Sequence, residues 1–325
     1  MNLLITRHDK IGDFVVTLPL FKAIKEQYPN TKLTALVSKV NFEFAKSIDF
    51  IDDVILFDKN NLKATLEQIK SKKFDASISA YIDTTLGKLL FLSRIKTRVA
   101  PATKLAQIFF NKKVKQRRSK VEKTEYAYNL DLGLKLFSNL KLDFQKPLLN
   151  ISKNNIIETF KKEHNISNLK KIVAFHVGFG GSSNGNLTLI DYIKLAKKAS
   201  EFKNIQVVFT FGPDDIKLKD EIKHKVDFDA IFYESKTSII DFCKLLSGFE
   251  LFISTSTGPM HLAGLVNIKT ISFFGDSAFA SSRRWATVSE EKNQNNFMLS
   301  SLYSKEKYIE IENKLKEILE ESICQ

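Results

Sequence analysis

Short apolar runs alternate with amphipathic stretches along the first half of the chain. Apolar runs of strand length occupy residues 3–6, 32–37, 54–56, 76–78 and 97–100. Apolar residues recur every three or four positions at 14–27, 42–48, 61–72 and 125–138. That spacing is typical of helices with one buried face. Strands that alternate with helices favour parallel pairing, so the pattern predicts a doubly wound α/β sheet.

The alternation stops in the middle of the chain and then begins again. Residues 111–124 are basic and weakly apolar, which predicts an exposed loop, and the polar stretch at about 145–168 is the best linker candidate. Further apolar runs follow at 171–176, 206–211, 230–233, 251–254 and 270–274, and a charged amphipathic helix is expected at 304–322. We therefore expect two α/β domains, 1–150 and 151–303, and a terminal segment, 304–325, that holds this helix.

The composition fits a globular protein, and its one unusual property is a high positive net charge. Of the 325 residues 43% are hydrophobic and 27% are charged. The two cysteines lack metal-ligand spacing, the apolar run at the N-terminus is too short for a signal peptide, and no apolar stretch is long enough to span a bilayer. A cytoplasmic protein is expected. The net charge of +13 indicates an anionic partner: nucleic acid, a membrane surface or a phosphorylated substrate.

The loops that follow the strands contain the distinctive residues, at the edge where such sheets bind ligands. The first loop runs from Arg7 to Asp13. Gly12 permits a tight turn in this loop. Asp13 falls at the start of a helix, where it is either an N-cap or a functional carboxylate.

A second loop opens a helix late in the chain, from Ser256 to His261. The first N–H groups of a helix have no partner within it and attract anions. Gly258 allows close approach, and Pro259 suits a first helical turn. Met260 and His261 follow. The alternative is a capped core helix with a buried His.

Two glycine-containing turns and the basic segment complete the set of candidates. A Gly-rich turn after the strand at 171–176 resembles a phosphate cradle, with Gly178, Gly180, Gly181 and Ser182. The turn after 206–211 holds Gly212, Asp214 and Asp215, where each carboxylate is either a ribose ligand or an N-cap. The basic segment, either a solvated loop or an anion-binding one, contains Lys112, Lys113, Lys115, Arg117, Arg118 and Lys120.

Four of these motifs together resemble the ADP-heptose:lipopolysaccharide heptosyltransferases, glycosyltransferase family 9. They are Arg7–Asp13 with Thr17-Leu18-Pro19, the glycine-rich turn at 176–183, the turn at 211–215 and the run at 257–263. The resemblance extends from Arg7 to the strand end at 273–275, and it is strongest at 11–13 and 257–261. The resemblance implies a GT-B fold, with two Rossmann-like domains facing across a cleft and a terminal helix that packs back on the N-terminal domain.

The resemblance also implies an activity. It indicates an inverting, metal-independent enzyme that moves heptose from ADP-heptose to the Kdo- or heptose-bearing inner core of lipopolysaccharide or lipooligosaccharide. The partners would be a nucleotide sugar, used as substrate with no cofactor, and an anionic glycolipid, with peripheral contact at the cytoplasmic face of the inner membrane. A monomer is expected, and no nucleic acid.

Roles for single residues follow from the same match. Asp13 would be the general base, with Arg7, Gly12 and the basic segment on the acceptor side. The glycine-rich turn, the Gly212–Asp215 turn and residues 256–261 would bind the donor. The sequence departs from the family where Ser256 replaces a common Asp, Val177 replaces a Pro, and a usual Lys is missing near residue 184.

Four other interpretations stay open. A GT-B enzyme with a different nucleotide sugar fits the departures. A basic nucleic-acid-binding protein fits the charge, although no RNP, KH or helix-turn-helix signature occurs. A dehydrogenase would need G-x-G-x-x-G after a first strand, which the loop at Gly178 does not provide. The presence of Asp13 argues against a catalytically silent glycan binder.

Overall fold

The computed structural model describes residues 1–151, 155–178 and 185–323. The chain divides into two compact units, Met1–Leu148 and Leu149–Gln325. The expected domain boundary after residue 150 lies two residues beyond this division.

The first unit contains a parallel sheet in which neighbouring strands follow the order β3-β2-β1-β4-β5-β6. Its strands are Asn2–Arg7 (β1), Lys32–Val37 (β2), Asp53–Leu56 (β3), Ala76–Ser79 (β4), Thr97–Pro101 (β5) and Lys112–Val114 (β6). The central strand β1 pairs with β2 on one side and β4 on the other, and it is almost entirely buried. Helices on both faces explain why these strands are continuous apolar runs rather than alternating ones.

Helices connect these strands and cover the sheet. They are Ile11–Val15 (α1), Leu18–Gln27 (α2), Lys39–Lys46 (α3), Leu62–Ser71 (α4), Thr84–Leu92 (α5) and Glu125–Leu134 (α6). Short 3-10 helices lie at Leu105–Phe109 and Arg118–Lys120.

The single helix expected at 14–27 is two helices. The first ends at Val15, and the backbone N–H of Thr17 donates to the carbonyl of Phe14 at 2.9 Å. Pro19 lies in the first turn of α2. Proline cannot donate the hydrogen bond that a continuous helix needs at this point, so the chain turns and starts a new helix.

The basic segment at 111–124 is only partly the exposed loop that its composition predicts. It forms the edge strand β6 and the 3-10 helix at Arg118–Lys120. A three-residue strand has too few residues to show a period, and lysines are common on edge strands because they discourage pairing with other chains.

The second unit repeats the topology of the first. Its sheet order is β12-β11-β10-β7-β8-β9, which in chain order within the unit is again 3-2-1-4-5-6, the doubly wound Rossmann arrangement. The strands are Lys171–His176 (β7), Ile205–Phe211 (β8), Ala230–Glu234 (β9), Leu251–Thr255 (β10), Lys269–Gly275 (β11) and Gln294–Leu299 (β12). The strand order reverses between β1 and β4 in the first sheet and between β7 and β10 in the second, and ligands of such sheets bind at this point.

The helices of the second unit include one inside the expected linker. They are Ile156–Glu163 (α7), Leu189–Ser200 (α8), Ile216–Lys225 (α9), Ile239–Leu246 (α10), Gly258–Leu265 (α11), Ser282–Trp285 (α12) and Lys305–Ile323 (α13). Helix α7 reads Ile-Ile-Glu-Thr-Phe-Lys-Lys-Glu, and its buried Phe160 contacts the rings of Tyr233 and Phe249.

One face of the terminal helix α13 packs on the second unit. Its buried residues Ile311, Leu315, Ile318 and Leu319 belong to the core of the second unit. The helix packs against α8, and just before it the hydroxyl of Tyr303 donates to Asp191 of α8 at 2.5 Å. Among the described residues, no helix is long and apolar enough to cross a membrane.

Candidate active site

Arg7, the last residue of β1, is buried beneath three carboxylates. Its Nε donates to Asp9 at 2.8 Å, its Nη2 contacts Asp13, and its Nη1 lies 3.5 Å from Glu125. The cluster lies beside the point of the first sheet where the strand order reverses. Arg7 was expected on the acceptor side; its guanidinium pairs with these acids and contacts Asp13.

Asp13 is not the N-cap of its helix. Lys10 occupies that position, and the Asp13 carboxylate contacts Arg7 from the first turn of α1, next to Gly12. Burial raises the pKa of the Asp13 carboxyl above its ordinary value; Arg7 opposes this, and the charges of Asp9 and Glu125 add to it. The Asp13 side chain keeps 19% of its surface exposed. It is therefore a reachable carboxylate with a strengthened affinity for a proton.

Glu125 joins the Arg7 cluster to the basic segment. It begins α6 and is buried, and its carboxylate accepts from Arg118 Nη1 at 2.5 Å. Arg118 also donates to Asn129 and Gln116. Arg118 was expected to be an exposed acceptor ligand; it is instead largely buried in this network.

The other expected acceptor-side cations do face solvent. Lys112 and Lys113 lie on β6, Lys115 and Arg117 follow it, and Lys120 ends the 3-10 helix; all five are exposed. Their exposure fits both ion binding and a solvated edge.

His8 extends the polar cluster on the far side of Arg7. Its Nε2 is 2.8 Å from Asp83, the residue that caps α5. The His8 ring lies 5.2 Å from that of Tyr81, and Lys104 Nζ is 4.0 Å from the centroid of Tyr81. Side chains from the ends of β1, β4 and β5 therefore meet at one edge.

In the second unit, helix α11 begins directly after β10. Thr257 is its N-cap residue in extended conformation, and Gly258 and Pro259 form its first turn. Ser256 is held by a backbone hydrogen bond to Phe273 of β11 at 2.9 Å. The N-terminus of α11 therefore lies where the order of the second sheet reverses, as an anion site requires.

His261 and Met260 are buried in the first turns of α11. Burial lowers the pKa of His261 to about 4, so this imidazole is neutral near pH 7. Its Nδ1 is buried and has no hydrogen-bond partner within the described part of the chain. His261 thus offers a ligand a hydrogen bond rather than a positive charge.

The turns after β7 and β8 meet. A Cβ at Gly178 would lie 2.4 Å from a carboxylate oxygen of Asp215, so a larger residue here would displace that carboxylate. Asp215 accepts from the backbone N–H of Gly212 at 2.8 Å and is committed to its own turn. Asp214 is exposed and is the freer carboxylate for a ribose. Gly180, Gly181 and Ser182 lie outside the described residues.

Sequence reasoning missed several residues of these sites. Glu125, Asp83 and Lys104 join the first cluster from positions 70 or more residues beyond it, and no local motif marks them. Gly185 lies against the carbonyl of Phe274, where a Cβ would approach to 2.1 Å. Trp285, the chain's single Trp, lies 6.3 Å from His261.

Both units are therefore Rossmann-like; the first presents the carboxylate of Asp13, and in the second a helix begins beside the point where the strand order reverses. Residues 68–317 match glycosyltransferase family 9 (heptosyltransferase), and the chain therefore belongs to that family and is a glycosyltransferase. A candidate glycosyltransferase of Haemophilus influenzae is 37% identical over 89% of this chain and 86% of its own length. Lipooligosaccharide heptosyltransferase 2 of Campylobacter jejuni is 26% identical over 85% of this chain and 82% of its own.

The expected fold class is confirmed by a solved structure. The E. coli ADP-heptose LPS heptosyltransferase II superposes with a TM-score of 0.80 at 15% identity, covering 99% of this chain and 100% of that one. The two parallel six-stranded sheets of the described residues are those of a GT-B glycosyltransferase.

Proposed function

We propose that this glycosyltransferase moves a heptose from ADP-heptose to the Kdo- or heptose-bearing inner core of a lipopolysaccharide or lipooligosaccharide. The first unit activates the acceptor, and the second unit binds the donor. The acceptor glycolipid is anionic, and the enzyme works at the cytoplasmic face of the inner membrane. The heptosyltransferases among its relatives support this choice of donor and acceptor.

The chemical step is an inverting displacement without a metal. Asp13 takes the proton of an acceptor hydroxyl, and that oxygen forms a bond to the anomeric carbon. The bond from this carbon to the diphosphate breaks, and the nucleoside diphosphate leaves with the electron pair. The N-terminus of α11 stabilises the charge that develops on the leaving group, with a hydrogen bond from His261.

One observation carries the proposal for Asp13. Its carboxylate contacts a buried Arg7 and is flanked by two further acids. Arg7 fixes its position, and the neighbouring negative charges strengthen its affinity for a proton. A general base needs both properties.

The donor sugar is the least constrained part of the proposal. Ser256 stands where many family members have an Asp that is linked to hydroxyls of the donor sugar. A second candidate function is therefore transfer of another nucleotide-linked sugar to a surface glycan. A panel of ADP-heptose, UDP-sugars and GDP-sugars separates the two: turnover with ADP-heptose alone supports heptosyl transfer, and preference for a hexose donor contradicts it.

The base assignment is tested with Asp13→Ala. We expect transfer to fall at least about a hundredfold, because the acceptor hydroxyl loses its proton acceptor. Nucleotide binding should be unchanged, which the fluorescence of Trp285 reports because this ring lies 6.3 Å from His261. The assays contain EDTA, in which wild-type turnover should persist.

Asp9→Ala is the matched control. Asp9 also pairs with Arg7, at 2.8 Å, so its loss perturbs the same arginine without removing the base. We expect a smaller loss of transfer than in Asp13→Ala. Near-normal transfer by Asp13→Ala would exclude the assigned role.

A further inference from the structure

Four large apolar side chains of the first unit project into solvent beside one another. Phe91 and Leu92, in the last turn of α5, are each 55% exposed. Leu105 and Ile108, in the 3-10 helix Leu105–Phe109, are 88% and 74% exposed. We call these four residues the apolar surface. The two elements pack together, and the rings of Phe91 and Phe109 are 6.2 Å apart.

The apolar surface is a consequence of tight packing beneath it. A 3-10 helix repeats every three residues, so Leu105 and Ile108 share one face. Ala106, on the other face of this helix, and Phe110, just after it, are buried in the core of the first unit. A Cβ at Gly87 of α5 would lie 2.7 Å from the ring of Phe109, so there is no room for the outward residues to turn in.

The surrounding segment has an extreme charge. Residues 84–121 contain eleven Lys and Arg and no Asp or Glu, so this segment contributes +11 of the chain's net +13. The remaining 287 residues together carry +2. Lys88, Arg94 and Lys104 are exposed on the same elements as the apolar surface or directly next to them.

We propose that the apolar surface and its basic surround dock on an anionic lipid bilayer. Exposed Phe, Leu and Ile insert into the headgroup region, and Lys and Arg next to them bind anionic headgroups. A nucleic-acid surface would match the cations but would leave the four apolar side chains in water. The combination of both features therefore selects a lipid surface.

The apolar surface lies next to the cluster around Arg7 and His8. Lys104 directly precedes Leu105, and its Nζ lies 4.0 Å from the centroid of Tyr81. The Tyr81 ring is 5.2 Å from that of His8, which follows Arg7 in the chain. A glycolipid held in the bilayer would thus present its sugars close to Asp13. Only this last step rests on the proposed function; the binding of lipid does not.

Vesicle co-sedimentation of the full-length protein tests the docking. Wild-type protein should bind vesicles that contain phosphatidylglycerol, bind phosphatidylcholine vesicles weakly, and dissociate as salt is added. The double variant Leu105→Glu/Ile108→Glu should bind phosphatidylglycerol vesicles at least about tenfold more weakly. It replaces two apolar side chains that insert into the bilayer by negative ones, which the anionic headgroups repel. Both positions are exposed, so thermal unfolding should match wild type.

The matched control is Leu169→Glu/Leu302→Glu. These leucines are 87% and 91% exposed in the second unit, and this variant makes the same change of charge. It should bind vesicles like wild type. Equal loss in both double variants, or no loss in Leu105→Glu/Ile108→Glu, would overturn the proposal. Salt-sensitive binding of single-stranded RNA without binding to phosphatidylglycerol vesicles would also overturn it.

An activity measurement separates this inference from the proposed function. With lipooligosaccharide in vesicles as acceptor, Leu105→Glu/Ile108→Glu should transfer sugar more slowly than wild type. With the delipidated core oligosaccharide in solution, both should be equally fast. Vesicle binding that depends on the apolar surface, with no transfer to either acceptor, would refute the proposed function and leave the docking intact.

Discussion

Asp13 and Glu125 compete for one guanidinium. Arg7 contacts both, and Glu125 is shared with Arg118 at 2.5 Å. The negative charge of Glu125 repels a negative charge on Asp13. This repulsion adds to the effect of burial, the largest cause, in raising the pKa of the Asp13 carboxyl.

Glu125→Gln should weaken the base. Removing this charge lowers the pKa of Asp13, so the acid limb of the kcat/KM profile should move to lower pH. The rate on the plateau should fall by about threefold to tenfold, since a weaker base accepts the proton less readily. The measurement is a pH–rate profile between pH 4 and pH 9.

Asp131→Asn is the control on the same helix. Asp131 pairs with Lys123 at 2.8 Å and does not contact Arg7, so its profile should superimpose on that of wild type. A Glu125→Gln profile that superimposes on wild type as well would show that Glu125 does not tune Asp13. Because Glu125 is buried, thermal unfolding is measured alongside, and rates are compared only for folded protein.

At the scale of residues, local motifs could indicate Asp13 and the turn at Thr257–His261, because both lie within a few positions of their glycines. The partners of Arg7 could not be predicted. Glu125 reaches it from 118 positions away, and only the folded chain brings them together. For the same reason the sequence placed Arg118 in a basic loop on the acceptor side and could not predict its contact with Glu125.

At the scale of elements, the strongly apolar strands were predictable and the weak edge strands were not. Strand β12 reads Gln-Asn-Asn-Phe-Met-Leu and has partly exposed residues, so it lacks a continuous apolar run. Strand β6 has two exposed lysines in three residues. An edge strand pairs on one side only, and its polar residues cost little there.

Helix α13 shows a different limit. Its pattern predicts an apolar stripe, and the buried residues at 311, 315, 318 and 319 form one. This apolar pattern does not indicate against which hydrophobic core the helix packs. The contacts of Tyr303 with Thr188 and Asp191 at the start of α8 fix the choice in the structure.

Leu315→Ala should destabilise the second unit. Leu315 is fully buried against the sheet core, so the lost packing should reduce the free energy of unfolding by about 2–5 kcal/mol. Ile309→Ala, at an exposed position of the same helix, should change it by less than about 0.5 kcal/mol. Urea unfolding followed by circular dichroism provides both values. Equal effects would mean that α13 does not belong to this core.

At the scale of the molecule, the charge is divided unequally. Residues 1–148 contain 27 basic and 15 acidic residues, a net +12, whereas residues 149–325 contain 23 and 22, a net +1. The second unit is thus nearly neutral, so the proposed attraction of this unit for a nucleotide would be local, at the N-terminus of α11. The attraction for lipid is spread over many exposed side chains of the first unit.

The two binding events should therefore respond differently to salt. From 50 to 300 mM KCl, we expect the Kd for the nucleotide to change by less than about threefold, and binding to phosphatidylglycerol vesicles to fall by more than about tenfold. Trp285 fluorescence measures the Kd for the nucleotide, and co-sedimentation measures vesicle binding in the same buffers. Parallel loss of both would show that general charge, rather than the helix start, holds the nucleotide.

The acid cluster around Arg7 has one consequence for the catalytic cycle. Asp9, Asp13 and Glu125 carry three negative charges, and Arg7 and Arg118 supply two positive ones. The cluster therefore carries a net charge of −1 in a largely buried place, and the proton that Asp13 accepts in the proposed mechanism would cancel it. The proposed cycle then requires Asp13 to return this proton to solvent before it can act as a base again.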